Sequence, residues 1–231
     1  MLPPSANVLI VSGLKREAAI LAGPGRATLC GDRPALQAKL AAAAALRPSL
    51  VVSWGVCGGL DPALRPGDLI LGAEVVSGGC TIRTDERITS SLAQGLADLG
   101  RRVAVERLAD AAQPVMTAAA KSELRRSTGA AGVDMESLTA GEFAAARGIP
   151  FAILRAVADP AGRSLPPLAA KGVRPDGRID GVAVIGGLLR SPGQIAGLGA
   201  AALDAQAAFR ALTRCRRLLL RLFPGLVGAD L

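Results

Sequence analysis

Gly132-Val133-Asp134-Met135-Glu136-Ser137 stands ahead of a helical segment, and the chain comes back from it in Phe151-Ala152-Ile153-Leu154-Arg155-Ala156-Val157-Ala158-Asp159-Pro160. The spacing predicts a helix over 137–147 stopped by Gly148, and Pro150 then leads into an apolar strand over 151–157. A helix that turns straight into a continuous apolar strand is the unit from which α/β folds are built.

The same alternation runs outward in both directions. Residues 7–12 form a β-branched apolar run closed by Gly13 and followed by a helical pattern over 14–21, so the chain opens strand, glycine turn, helix. A helix over 33–46 stops before Pro48, and a strand over 49–53 runs into Gly55-Val56-Cys57-Gly58-Gly59. Gly67-Asp68 turns the chain into a strand over 69–76. Leu92, Leu96 and Leu99 lie at helical spacing within 88–99, with Gly100 as the capping glycine, and 117–127 reads as another helix. The expected fold is α/β, a three-layer αβα sandwich with a central mixed sheet, whose site gathers at strand ends and adjoining loops.

Composition narrows the chemistry. At 231 residues the chain is long enough for one well-buried α/β domain and too short for two of ordinary size. We expect a domain over 1–190 and a basic amphipathic helical tail over 191–231. Aromatic residues are 2% of the chain, so the core must be built from Ala, Val, Leu and Ile. Histidine is absent, which excludes Ser-His-Asp and Cys-His catalysis and His-ligated zinc and leaves Asp, Glu, Arg, Ser and Cys to act. Cys30, Cys57, Cys80 and Cys215 have no regular spacing, as expected of reduced thiols in the cytoplasm, and no metal site is expected. The short apolar run 8–11 is followed by Lys15 and Arg16 instead of being preceded by them, unlike a leader peptide, and no run nears the length of a spanning helix.

The net charge of +8 comes almost wholly from arginine. Stacking aromatics are nearly missing and no recognised motif accompanies the charge, so nucleic acid is not expected as a partner. Beyond Pro192-Gly193 a helical pattern runs to about residue 222, and in it Arg210, Arg214, Arg217 and Arg221 form one stripe, with Phe209, Leu212, Leu219, Leu220 and Phe223 mostly opposite. Two readings stay open: a helix lying on an anionic membrane surface, or a terminal helix that packs its apolar face on the core. The loop-rich stretch from Ser164, with Leu165-Pro166-Pro167 and Arg174-Pro175-Asp176-Gly177, either covers the site or only connects.

Three blocks in this order carry a resemblance: Gly13-Leu14-Lys15-Arg16-Glu17, then Ser53-Trp54-Gly55-Val56-Cys57-Gly58-Gly59 with Gly67-Asp68, then Val133-Asp134-Met135-Glu136-Ser137 with Arg155 to Asp159. Together they resemble the purine nucleoside phosphorylase and methylthioadenosine/S-adenosylhomocysteine nucleosidase superfamily. Within it, Leu165-Pro166-Pro167, Arg174-Pro175-Asp176-Gly177 and Ser191-Pro192-Gly193-Gln194 look like the hopanoid-associated members, which are linked to removing adenine from adenosylhopane.

The resemblance implies cleavage of the bond between sugar and base. Adenine leaves poorly unless N7 is protonated, and by resemblance the acid is Asp159; its bland alternative is an Asp-Pro turn. Glu136 would hold the ribose hydroxyls and Met135 pack on the sugar, against the alternative of an acidic helix start. Asp134, Val56, Cys57, Gly58, Val115 and Met116 would complete the pocket, the last two standing where relatives stack a phenylalanine. Where phosphorylases of the superfamily hold phosphate with arginine, this chain has Glu17, Ser53 and Val56, so the likeness is to hydrolytic members, with Glu17 the base on water and Arg155 its helper. The alternatives are a surface glutamate and a buried counterion. Phosphate remains a possible co-substrate through Lys15 or Arg16, and no other cofactor is implied. Expected partners are a small or lipid-tailed adenine nucleoside and further copies of the chain, with peripheral membrane contact through the C-terminal helix. A general methylthioadenosine/S-adenosylhomocysteine nucleosidase and a non-catalytic nucleoside-binding module are the competing readings.

Overall fold

The structure is a computed structural model that describes residues 7–22, 27–98, 103–168, 176–177 and 195–222. Strand β1 (Val8–Ser12) is buried along its whole length, as an apolar run must be when both sheet faces are covered. Its side chains alternate between two cores, Val8 and Ile10 on one face, Leu9 and Val11 on the other. Helix α1 (Lys15–Leu21) and strand β2 (Ala27–Cys30) follow. Helix α2 (Arg33–Ala43) starts on Asp32, whose Oδ1 accepts from Ala35 N at 3.0 Å, and buries Leu36, Leu40 and Ala43 at i, i+4 and i+7. A single 3-10 turn, Ala44–Leu46, completes it.

Next come β3 (Leu50–Gly59), β4 (Leu69–Ser77), β5 (Cys80–Arg83), α3 (Glu86–Asp98) and β6 (Val103–Asp110). Helix α4 (Ala118–Thr128) is capped by Thr117 at its start and by Gly129 at φ 68° at its end. Strand β7 (Gly132–Asp134), α5 (Ser137–Ala145), β8 (Phe151–Asp159) and the long α6 (Ile195–Leu222) complete the described elements.

The sheet is mixed, in the order β2-β1-β3-β7-β6-β4-β5, and β8 bridges β3 and β4. Five strands, β3, β8, β4, β6 and β7, therefore close a ring. Helices α3 and α6 pack on one face, through Leu92, Leu96, Phe209 and Leu212, and α2 and α5 on the other, through Leu36, Leu40, Leu138 and Phe143. This is the three-layer αβα arrangement the alternation predicts. Strands β2, β5, β6 and β7 were not legible from periodicity, because they are short or carry charged side chains such as Glu106 and Arg107 on an exposed face.

Helix α6 lies within the stretch 191–231 expected as a basic amphipathic tail. Phe209, Leu212, Cys215, Leu218 and Leu219 are buried in the same core as β1, β3 and β8, so the helix is a layer of the domain. Its apolar face is covered by the sheet, which leaves the exposed stripe of Arg210, Arg214, Arg217 and Arg221 as its outward surface. Packing of its apolar face on the sheet accounts for the amphipathic pattern. Among the described residues no helix is long and apolar enough to cross a membrane. The expected capping glycine, Gly100, the residue Phe223, and the greater part of 169–194 lie outside the described residues.

Candidate active site

The carboxyl ends of β1, β2, β3, β6, β7 and β8 converge on a cavity of about 480 Å³. Strand ends are where an α/β sheet leaves backbone groups and loops free to hold a ligand. Glu17, Glu136 and Asp159 all line it, as do Val56, Cys57, Gly58, Val115, Met116, Asp134 and Met135. Arg155 does not line it; this guanidinium is fully buried behind the wall.

Glu17 sits in the first turn of α1 with its side chain folded back over the β1–α1 turn. Its Oε2 accepts from Gly13 N at 3.0 Å and Leu14 N at 2.8 Å, and its Oε1 accepts from Val56 N at 2.8 Å. Three backbone donors fix one carboxylate, and Glu17 is 1% exposed, which removes the reading of a surface glutamate. Burial raises its pKa; Arg155 and the three N–H bonds pull the other way.

Glu136 approaches the same turn from the other side. A Cβ built on Gly13 would lie 2.5 Å from Glu136 Oε1, so only glycine lets this carboxylate reach its place. Gly55, at φ 156°, has the corresponding role behind the wall: a Cβ there would fall 2.7 Å from both Arg155 Nη1 and the Glu17 carboxylate carbon. These two glycines let three charged groups meet in a space with no room for a methyl.

Arg155 ties the cluster together. It pairs through Nε with Asp134 Oδ2 at 2.7 Å and through Nη1 with Glu136 Oε2 at 3.2 Å, and Nη2 donates to Ser53 Oγ at 2.6 Å. Ser137 Oγ donates to Asp134 and lies 2.9 Å from Ser53 Oγ. The Asp134 carboxylate is thus occupied by Arg155 and Ser137, and it holds Arg155 in place behind the wall. Burial opposes the charge on Arg155, and the carboxylates of Asp134, Glu136 and Glu17 more than offset it.

Burial pushes Glu136 up to about 8, with Arg155 pulling it down and Asp134 and Glu17 adding to the rise. A carboxyl whose folded value lies above its ordinary one binds its proton more tightly in the fold. The stability it contributes is therefore lost as pH rises from about 4.5 to about 8. Glu136→Gln removes this contribution, so the decline of unfolding free energy with pH across that interval should become shallower in urea titrations. An unchanged slope would show that Glu136 is already ionised in the fold.

Asp159 reaches the cavity through a bulge. Strand β8 follows β3 in register from Val51↔Phe151 to Cys57↔Val157, and then the pairing shifts to Gly58↔Asp159, leaving Ala158 as the extra residue. The shift sets the Asp159 side chain against Gly58, where a Cβ would lie 3.3 Å from Oδ2. Burial raises the Asp159 pKa, and the Lys121 ammonium lowers it. Lys121, fully buried on α4, pairs with Asp159 Oδ2; no sequence motif marked it. Its only signal is position, three residues before Leu124 on the inward face of α4.

The remaining wall is mostly apolar. Val115 and Met116 line it with Leu165, whose N–H donates to Met116 O at 2.7 Å. Part of the loop-rich stretch therefore borders the cavity, and Gly177 O accepts from Lys15 N at 2.9 Å at its edge. Burial pushes the Cys57 thiol well up, so it is an inert wall group. The two cations considered for phosphate have other partners: Lys15 pairs with Asp176 at 3.3 Å, and the Arg16 guanidinium stacks 4.0 Å from the Phe209 ring centroid.

Comparison with known proteins gives a family and a fold. Residues 3–172 match the phosphorylase superfamily. No curated protein matches the chain by sequence. Among solved structures, the 5′-methylthioadenosine/S-adenosyl homocysteine nucleosidase of Helicobacter pylori, in complex with a substituted pyrrolidin-3-ol, superposes with a TM-score of 0.66 at 14% identity over 93% of this chain and 99% of that one. The nucleosidase of the same name from Campylobacter jejuni gives 0.62 at 15% identity, covering 92% and 99%. Futalosine hydrolase of Helicobacter pylori gives 0.60 at 16% identity, covering 67% and 88%. At such identities the likeness is one of fold.

Proposed function

The chain belongs to the phosphorylase superfamily, and from that premise we propose that it cleaves the N-glycosidic bond of an adenine nucleoside by hydrolysis. The observation that carries this reading is the convergence of Glu17, Glu136 and Asp159 on one cavity, each in a different electrostatic setting. Cleavage builds positive charge on the ribose and negative charge on the base, so it needs an acid at the base, an acceptor at the sugar hydroxyls and a base for the incoming water. Asp159 is the acid to N7, Glu136 accepts from the 2′- and 3′-hydroxyls, and Glu17 takes the proton from water.

Hydrolysis is favoured over phosphorolysis by what surrounds the turn after β1. The backbone donors of Gly13, Leu14 and Val56 that would hold an oxyanion are taken by Glu17. Arg155 is paired with Asp134 and Glu136, and Lys15 and Arg16 are turned to Asp176 and Phe209. A phosphate entering here would meet the Glu17 carboxyl, and among the described residues the cations considered for it are engaged elsewhere.

Adenosylhopane is the nucleoside we propose, on the likeness of Leu165-Pro166-Pro167 and Arg174-Pro175-Asp176-Gly177 to the hopanoid-associated members. Incubation with adenosylhopane and with methylthioadenosine, with and without phosphate, should release adenine and a free ribosyl product at rates independent of phosphate, read by mass spectrometry. A phosphoribosyl product would overturn hydrolysis. Equal turnover of the two nucleosides would identify a general nucleosidase, and tight binding without adenine release a binding module.

A further inference from the structure

The Lys121 side chain is the one buried lysine among the described residues, and all of its donors have acceptors near the candidate acid. Its Nζ pairs with Asp159 Oδ2 and donates to Pro160 O at 3.0 Å and Arg163 O at 3.2 Å. Three acceptors around one nitrogen are satisfied by an ammonium with three N–H bonds; a neutral amine would leave one of them unmet. The Lys121 side chain is fully buried and the Asp159 side chain is 14% exposed, so the charge sits on the protein side of the carboxyl and the cavity on the other. Among the described residues Asp159 Oδ1 accepts no hydrogen bond, which leaves that oxygen for a ligand.

We propose, resting on the reading of Asp159 as the acid, that Lys121 is the positioning residue that governs its proton. The ammonium holds Oδ2 and steadies the carboxylate left when the Oδ1 proton passes to the base. In the step itself the Oδ1–H bond breaks and an N7–H bond forms. The pair goes from a net charge of plus one to neutral, and solvent returns the proton after the base departs. An isolated buried carboxyl would keep its proton but release it poorly. An ammonium at its back strengthens the acid, and burial keeps it protonated often enough to act.

The other groups facing Asp159 are fewer and more distant in effect. Arg163, in the loop after β8, lowers its pKa slightly and is itself paired with Asp204 of α6 at 2.9 Å; Asp204 raises it. Cys57 of β3 is a neutral thiol. The Arg163–Asp204 pair also ties α6 to the backbone that Lys121 grips, so the C-terminal helix braces the acid through two residues.

Lys121→Met removes the charge and every donor; Lys121→Gln removes the charge but keeps N–H groups for the Pro160 and Arg163 carbonyls. In a bell-shaped profile of kcat/KM for methylthioadenosine cleavage, the falling limb at high pH reports loss of the Asp159 proton. Without the ammonium this limb should move up by about 1 to 3 pH units, with the rising limb unchanged. A purely structural role would lower the profile without moving it, and an unmoved limb in a folded Lys121→Gln variant overturns the proposal. The same shift is read without catalysis by carbon-13 NMR titration of the Asp159 carboxyl, identified by its loss in Asp159→Asn. A midpoint that moves in a protein that cleaves no nucleoside would sustain the role of Lys121 and refute the proposed function. Cleavage with neither limb nor midpoint displaced would do the reverse.

Discussion

Asp159→Asn should lower the rate of adenine release by about 10²- to 10⁴-fold, the range general acid catalysis supplies, with little change in melting temperature. Asparagine is nearly isosteric with aspartate. Its Oδ1 can still accept from Lys121 Nζ, so the ammonium keeps its three acceptors and the loop from Pro160 to Arg163 stays anchored. What asparagine lacks is a proton it can give away: its amide donates a hydrogen bond to N7 and goes no further. The effect should therefore fall on kcat more than on KM. Comparing the purified variant with the parent chain on methylthioadenosine measures this, and activity within a few-fold of the parent would remove Asp159 from the chemistry.

Arg155→Met should cost about 3 to 5 kcal/mol of folding stability, the usual penalty for taking one partner from a buried ion cluster. Arg155 is fully buried and pairs with Asp134 and Glu136. It also lowers the pKa of Glu17. Methionine fills much of the volume and satisfies none of these groups. The remaining carboxyls can relieve their repulsion only by taking up protons, so their pKa values rise further than burial already raises Glu17 and Glu136. The fold then binds more protons than the unfolded chain over a wider range, and stability falls more steeply as pH rises. Urea unfolding of the variant at acid and alkaline pH should show a loss that grows with pH. A loss under 1 kcal/mol at alkaline pH would show that the carboxylates are solvated by another route.

Much of the fold was legible because its signals are local. The buried run Val8–Ser12 closed by Gly13, and Gly148 with Pro150, each act within one or two turns of chain. Strand β6 was not legible, because Glu106 and Arg107 interrupt the apolar pattern and it is held by pairing with β4 and β7. Strand β7 has only three residues, and only its partners on β3 and β6 make it a strand. The outward face of α6 was legible as a stripe of arginine, but its opposite face was equally consistent with lipid or with core.

The candidate site divides in the same way. The sequence by itself determined the α/β order, the exclusion of histidine chemistry, and the presence of Glu17, Glu136, Asp159 and Arg155 in blocks that lead into or out of strands. Composition and periodicity are properties of the chain, and they survive whatever the chain packs against. Only the tertiary structure decided that Gly13 and Gly55 leave room for the carboxylates to meet Arg155, that a bulge at Ala158 turns Asp159 into the cavity, and that Lys121 stands behind it. Those facts depend on register between strands about a hundred residues apart in sequence, such as Gly58 with Asp159, and on exclusion of water from charged groups. Neither register nor desolvation exists until the layers close, and together they set which of these carboxyls holds a proton.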